Sequence, residues 1–215
     1  MPVPAPVPVW RHREQEARRA SLLLAARAVF AERGYHEATV EEIAALADIG
    51  KGTVYLHFPE GKAGLLETVL DDHLAALRGI VVRTFTEGEG AVRYRFWTLA
   101  LAAATYFRRN PDLLRVHVRE LPRLLADAEV GPVAECLARL TDELVDVVAP
   151  VLQEDRLTLP SRVAAYHLLA TLFGHLIALG LQTGPLDCGT PPAEIADTLV
   201  ALVFDGIAGH RTGGG

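Results

Sequence analysis

Residues 39–62 read Thr-Val-Glu-Glu-Ile-Ala-Ala-Leu-Ala-Asp-Ile-Gly-Lys-Gly-Thr-Val-Tyr-Leu-His-Phe-Pro-Glu-Gly-Lys, and this stretch decides the fold of the N-terminal part of the chain. Thr39 is a good N-cap, because its hydroxyl can accept from a free backbone N–H of the first turn. Glu41 and Glu42 follow where carboxylates suit the positive end of a helix. Val40, Ile43, Ala44 and Ala47 fall at i, i+3, i+4 and i+7 and make one apolar stripe, with Ala44 small enough for a close helix crossing. Asp48-Ile49-Gly50 interrupts the period with residue types that tolerate a left-handed backbone, so the chain can turn in a few residues. A second helix then starts at Lys51 or Gly52. Its Val54 and Phe58 are one turn apart and face inward, which leaves Thr53, Tyr55, Leu56 and His57 on the outer surface.

Two short helices across a tight turn predict a helix-turn-helix, whose second helix meets base edges and phosphates of duplex DNA near its N-terminal end. Thr53 and Tyr55 bring hydroxyls to that end. Lys51, His57 and Lys62 bring cationic or donor groups, and the backbone N–H groups of the helix start attract phosphate as well.

The run Gly52-Thr53-Val54-Tyr55-x-His57-Phe58, preceded by Ile43-Ala44 and followed by Lys62 and Leu65-Leu66, resembles the N-terminal signature of TetR-type transcriptional regulators over about residues 18–70. That resemblance implies that Thr39, Thr53, His57 and Lys62 hold phosphates, while Gly50, Lys51, Gly52, Tyr55 and Leu56 lie along the major groove. Three departures stand out. Asp48 replaces the usual turn glycine, Gly50 stands where a polar residue is common, and Pro59-Glu60-Gly61 is one residue longer than the commonest linker before the next helix.

Charge usage bears on the same segment. The chain has two lysines, Lys51 and Lys62, among 21 basic residues, and both lie in it. The plainer alternative is an arginine-preferring, GC-rich genome whose two remaining lysines fell close together by chance. The formal net charge of −6 argues on its face against nucleic acid, yet residues 1–62 balance eight basic against eight acidic side chains. The excess negative charge therefore lies in the remainder, where it orients the neutral end toward a polyanion and keeps non-specific affinity modest.

A chain of 215 residues, half of them apolar, is long enough to bury a large core. Residues 1–12 are expected as a proline-rich, disordered tail, followed by a DNA-binding domain over 13–61 and a second domain over 62–210. A helix from about Arg13 to Arg33 is signalled by Leu22, Ala25, Ala26, Val29 and Phe30, and Gly34 stops it. Arg11, Arg13 and Arg18 are candidates for flanking phosphate contacts or for a plain solvated face. Beyond Lys62 the chain is nearly all helix former, broken at Gly88-Glu89-Gly90, Asn110-Pro111, Gly131-Pro132, Ala149-Pro150, Leu159-Pro160, Gly184-Pro185 and Pro191-Pro192. The fold class predicted is all-α: a three-helix helix-turn-helix domain, then an all-helical domain of about six helices. In the resembling family the second domain binds a small ligand and dimerises.

The helices expected over 161–183 and 193–208 are too apolar to stand alone, and Gly174, Ala178 and Gly180 would let a symmetry mate approach. A homodimer through these two helices would space its recognition helices about 34–36 Å apart and require an inverted-repeat operator. Packing within one protomer is the plainer alternative. For the effector, Tyr94, Phe96, Trp97 and Phe107 share one helix, while His73, His117, His167 and His175 are the histidines expected to point inward. The candidate ligand contacts are His73, Trp97, Phe107, His117 and His175, in a pocket suited to a lipophilic or flat small molecule. For any one of them, ordinary core packing is the plainer reading.

No catalytic residue, metal ligand or cofactor is assigned. Ser21, Ser161, Cys136 and Cys188 lack a nucleophile setting, the two cysteines have no CxxC spacing, and Asp142, Glu143 and Asp146 are spaced like a solvated face. His167 and His175 are eight apart, without acidic or thiolate support for a metal. No membrane span or leader is expected, so a cytoplasmic location follows. The competing class is an all-α ligand-binding protein or enzyme that has kept a vestigial helix-turn-helix.

Overall fold

The computed structural model describes residues 9–126, 131–154, 159–180 and 189–206. All regular structure among them is helical, and the chain divides into two compact units, Met1–His73 and Leu74–Gly215. The predicted all-α class is what the chain adopts.

In the first unit α1 runs Val9–Arg33, α2 Val40–Leu46 and α3 Lys51–His57, and α4, Lys62–Thr86, begins here. Helix α1 starts earlier than Arg13, four residues inside the segment read as tail, because no proline or glycine follows Pro8 to prevent it. Residues 1–8 lie outside the described residues. The expected stripe of Leu22, Ala25, Ala26, Val29 and Phe30 is buried throughout. The helix ends at Gly34, whose φ of 81° lets its N–H return to the Phe30 carbonyl at 2.9 Å. Helices α1 and α3 both pack on α2.

Helix α4 carries Leu65, Leu66, Val69 and Leu70 in the first unit and Leu77, Val81 and Phe85 in the second, all buried. The second unit continues with α5 (Val92–Arg109), α6 (Pro111–Ala126), α7 (Gly131–Glu154), α8 (Ser161–Gly180) and α9 (Pro192–Val200), closed by a π-helical turn at Ala201–Asp205. Helix α5 is the central one. Its Leu99, Ala100, Ala103 and Ala104 are small or slender enough to bring α9 and α8 close, and α7 and α8 form the other large pairing.

The break predicted at Ala149-Pro150 does not occur: Pro150 sits inside α7. Its ring faces solvent, while Val148, Ala149 and Leu152 on either side are buried, and that burial outweighs the lost backbone hydrogen bond. The predicted C-terminal helix over 193–208 is likewise modified: α-helical geometry ends at Val200, the π turn follows, and Gly206 at φ 73° stops it. Polar ties hold this end on α5. Arg93 makes a bidentate pair with Asp205 at 2.6 Å per bond, and the Trp97 indole N–H donates to Asp197 at 2.7 Å. The acids read as a solvated face are exposed but engaged, Glu143 with Arg78, and Asp142 and Asp146 with Arg162.

Candidate nucleic-acid interface

Thr39 caps α2 as its sequence demands. Its backbone is extended, at φ −119° and ψ 151°; its Oγ accepts from the Glu42 N–H at 3.2 Å; and the Glu42 carboxylate accepts from the Thr39 N–H at 3.1 Å. This reciprocal capping box satisfies two backbone donors that an isolated seven-residue helix would leave to water. Asp48 then takes the left-handed conformation, φ 55°, in the place where a glycine would have been unstrained. The Ile49 N–H closes the turn onto the Ala44 carbonyl at 2.9 Å, and Gly50 is the N-cap of α3.

Within α3, Val54 is fully buried and Phe58 nearly so, with the Arg19 guanidinium 5.1 Å above the Phe58 ring. That anchoring presents Lys51, Gly52, Tyr55 and Leu56 to solvent, and Leu56 is 82% exposed. A leucine that open on a seven-residue helix buries little apolar surface in the free chain. Thr53 and His57 are only half-buried rather than fully outward. They line, with Leu56, a groove of about 680 Å³ against the Trp10, Glu14 and Arg18 side of α1.

Gly61 is a residue that sequence reading passed over as linker. Its φ is +58°, and a Cβ there would stand 3.0 Å from the Tyr55 ring, so glycine allows this close approach of ring and backbone before α4 without strain. The glycine after Pro59-Glu60 was the available signal. The two lysines are both engaged. Lys51 is ion-paired with Glu41 of α2, while Lys62 donates to the His36 carbonyl at 3.3 Å and stands 4.5 Å over the Tyr35 ring. Arg18 pairs with Glu14 at 2.7 Å; Arg11 lies where side chains are not described.

The five ligand candidates are less coherent. His73 belongs to the first unit and is buried, whereas Trp97, Phe107, His117 and His175 belong to the second. Trp97 is committed to Asp197 and stacks on the exposed Tyr94, and Phe107 is core. Burial holds the imidazoles of His117 and His175 below the usual histidine range. His175 Nε2 is buried with no hydrogen-bond partner among the described residues. His167 is exposed rather than inward, on the rim of an apolar groove of about 360 Å³ whose walls include Leu168, Leu202 and Phe204. None of the five candidates lines that groove. No cluster of three metal-ligating side chains occurs among the described residues. The side chain of Cys136, and Cys188 altogether, lie outside the described residues, as do residues 181–183 and Ile207 of the expected C-terminal helices.

Residues 22–69 match the family described as bacterial regulatory proteins, tetR family. The transcriptional repressor BepR of Brucella suis is 28% identical over 187 residues, which are 86% of this chain and 76% of that protein. The transcriptional activator FasR of Mycolicibacterium smegmatis is 39% identical over 82 residues, 37% of each chain. Among solved structures, FadR of Bacillus subtilis in complex with stearoyl-CoA superposes with a TM-score of 0.70 at 18% identity, covering 87% of this chain and 98% of that one.

Proposed function

We propose, for a chain that belongs to the TetR family of transcriptional regulators, that it is a homodimeric repressor of the cytoplasm that holds an inverted-repeat operator when empty and leaves it on binding a small lipophilic effector. The observation that carries this reading is the outward face of α3, where Lys51, Gly52, Tyr55 and Leu56 stand clear of a helix anchored from behind by Val54 and Phe58. In this reading Tyr55, pressed on Gly61, and Leu56 reach base edges. Thr39, Thr53, His57 and Lys62 take phosphates, and the short α3 start at Gly50, Lys51 and Gly52 follows the groove wall.

Dimerisation is supported by α8. The segment Ser161–Leu179 is long and apolar enough to cross a membrane by composition, yet only 39% of it is buried within one chain. Val163 and Tyr166 are exposed on it, Gly174 has open space where a Cβ would point, and Leu202 is exposed on the π turn. A second copy would cover such a face and place two α3 helices on successive major grooves. Effector binding in the second unit would act through α4, which belongs to both units. A coupling of about 1–3 kcal/mol is typical of such linkage and is enough to lower operator occupancy substantially. A long-chain acyl thioester, the class of molecule held in the FadR structure, is the first compound to try.

The test is selection from a random duplex library with wild type and Tyr55→Ala at one moderate salt concentration. Enrichment of an inverted repeat by wild type alone is the expected result. Absence of enrichment by a folded wild type would instead favour a ligand-binding helical protein whose DNA-binding unit is vestigial. Tyr166→Glu should leave the chain folded but monomeric in sedimentation and should abolish operator binding, because the two-fold brings like charges together at a cost of several kcal/mol. A Tyr166→Glu dimer would remove α8 from the interface.

A further inference from the structure

The geometry points to Glu41 as a specificity-determining residue that restrains sequence-independent DNA binding by holding the Lys51 ammonium away from phosphate. The inference rests on the DNA-binding reading above and deepens it.

Glu41 stands in the first turn of α2 and Lys51 is the first residue of α3, so their ion pair spans the turn of the helix-turn-helix from one helix to the other. Both side chains are more than half exposed, which leaves the pair open to exchange with an incoming anion. The pair stabilises both charges: the Lys51 hydrogen bond holds the Glu41 carboxyl below its ordinary value, and Glu41 raises Lys51. The surroundings repeat the theme. Arg33 pairs with Glu42 at 3.0 Å, and Lys62 is turned onto the His36 carbonyl and the Tyr35 ring. Residues 1–62, in which acidic and basic side chains balance, thus keep their two lysines engaged within the protein.

Sequence-independent affinity comes from counterion release, and each phosphate neutralised steepens the log–log salt dependence by about 0.9. A loosely seated protein gains little by breaking the Glu41 pair, because doing so leaves a bare carboxylate beside the polyanion. On a cognate site, base contacts along α3 fix the helix in the groove, and Lys51 can then change partners. Glu41 therefore weighs most heavily on DNA that offers phosphates alone.

The test measures affinity against salt for a mixed-sequence duplex and for the selected operator, with the full-length protein. Glu41→Gln should steepen the salt slope on mixed sequence by about 0.9, leave the slope on the operator unchanged, and raise mixed-sequence affinity severalfold near 0.1 M salt. Glu37→Gln removes the same formal charge from an exposed position of the same unit and should not reproduce the change in slope. Glu41→Gln in a Lys51→Gln background should have no effect on slope. An unchanged slope for Glu41→Gln, an equal effect from Glu37→Gln, or persistence without Lys51 would each overturn the inference while operator binding by wild type stands. A wild type that binds no duplex at low salt would overturn the DNA reading itself, and the role of Glu41 with it.

Discussion

Helices α2 and α3 have seven residues each, whereas α8 has 20, yet the short pair is the better specified of the two regions. Seven residues are too few for a helix to persist alone in water. Every local device is therefore spent on making them helical there and nowhere else: the Thr39–Glu42 box, left-handed Asp48, and an apolar stripe one turn wide. Helix α8 depends less on such devices, because its length and the burial of its leucines in the core already favour a helix. The same composition leaves its facing undefined, since Ala, Leu, Ile and Phe occur all around it. The lesson is that local signals fix a helix's ends and exposed face, whereas uniform hydrophobicity fixes only its existence.

The largest expected effect probes the second region. Leu172 of α8 is fully buried in the main core, so Leu172→Ala should cost about 2–5 kcal/mol in denaturant unfolding. A loss below about 1 kcal/mol would mean that α8 can slide or rotate to refill the space, and would sharpen the contrast with α2. Thr39→Ala should cost about 1 kcal/mol, read in the same way, by removing the capping box. Glu42→Gln should cost less, because an amide oxygen can still accept from the Thr39 N–H. Equal costs would show that charge at the helix start, and not the box, sets the boundary.

The smallest effect is on pH. The folded chain holds His117 and His175 below the ordinary histidine value of 6.5, so both stay neutral where the unfolded chain takes up protons. Stability from the second unit is thus complete above pH 6.5 and is lost as pH falls from there through the folded values. In the first unit the Glu41 carboxyl is lowered, so the contribution of its pair to Lys51 is complete above pH 4.5 and is lost only on further acidification. Between pH 7.5 and 5.5, urea midpoints followed by tryptophan fluorescence should fall, and His117→Gln/His175→Gln should flatten that fall. An unaltered slope in the double variant would assign the pH dependence to other groups.

Much of the interface was legible because its reasons are local. The α2 cap, the turn at Asp48, the α3 start at Lys51 and the inward Val54 and Phe58 each follow from neighbours within a few residues. What escaped was contact between one element and the next: Gly61 under the Tyr55 ring, Glu41 on Lys51, Lys62 turned onto His36. None of these has a period or a motif. In the second unit Trp97 looked like a pocket residue, since an aromatic on an amphipathic helix signals burial without saying against what. Its indole N–H instead meets Asp197, a hundred residues later.

The amino-acid sequence by itself determined that the chain is helical, where most helices begin and end, and which face of the helix-turn-helix meets solvent. These properties follow from backbone capping and from a 3.6-residue apolar period that neighbouring residues can satisfy. Tertiary structure alone decided that Pro150 could stay inside α7, that His167 would be exposed while His175 buried a nitrogen with no partner among the described residues, and which cations stand engaged in the free protein. Each of those outcomes depends on what a distant segment places opposite the residue, and the cost of desolvating or pairing a group is set by that neighbour and not by the residue's own place in the chain.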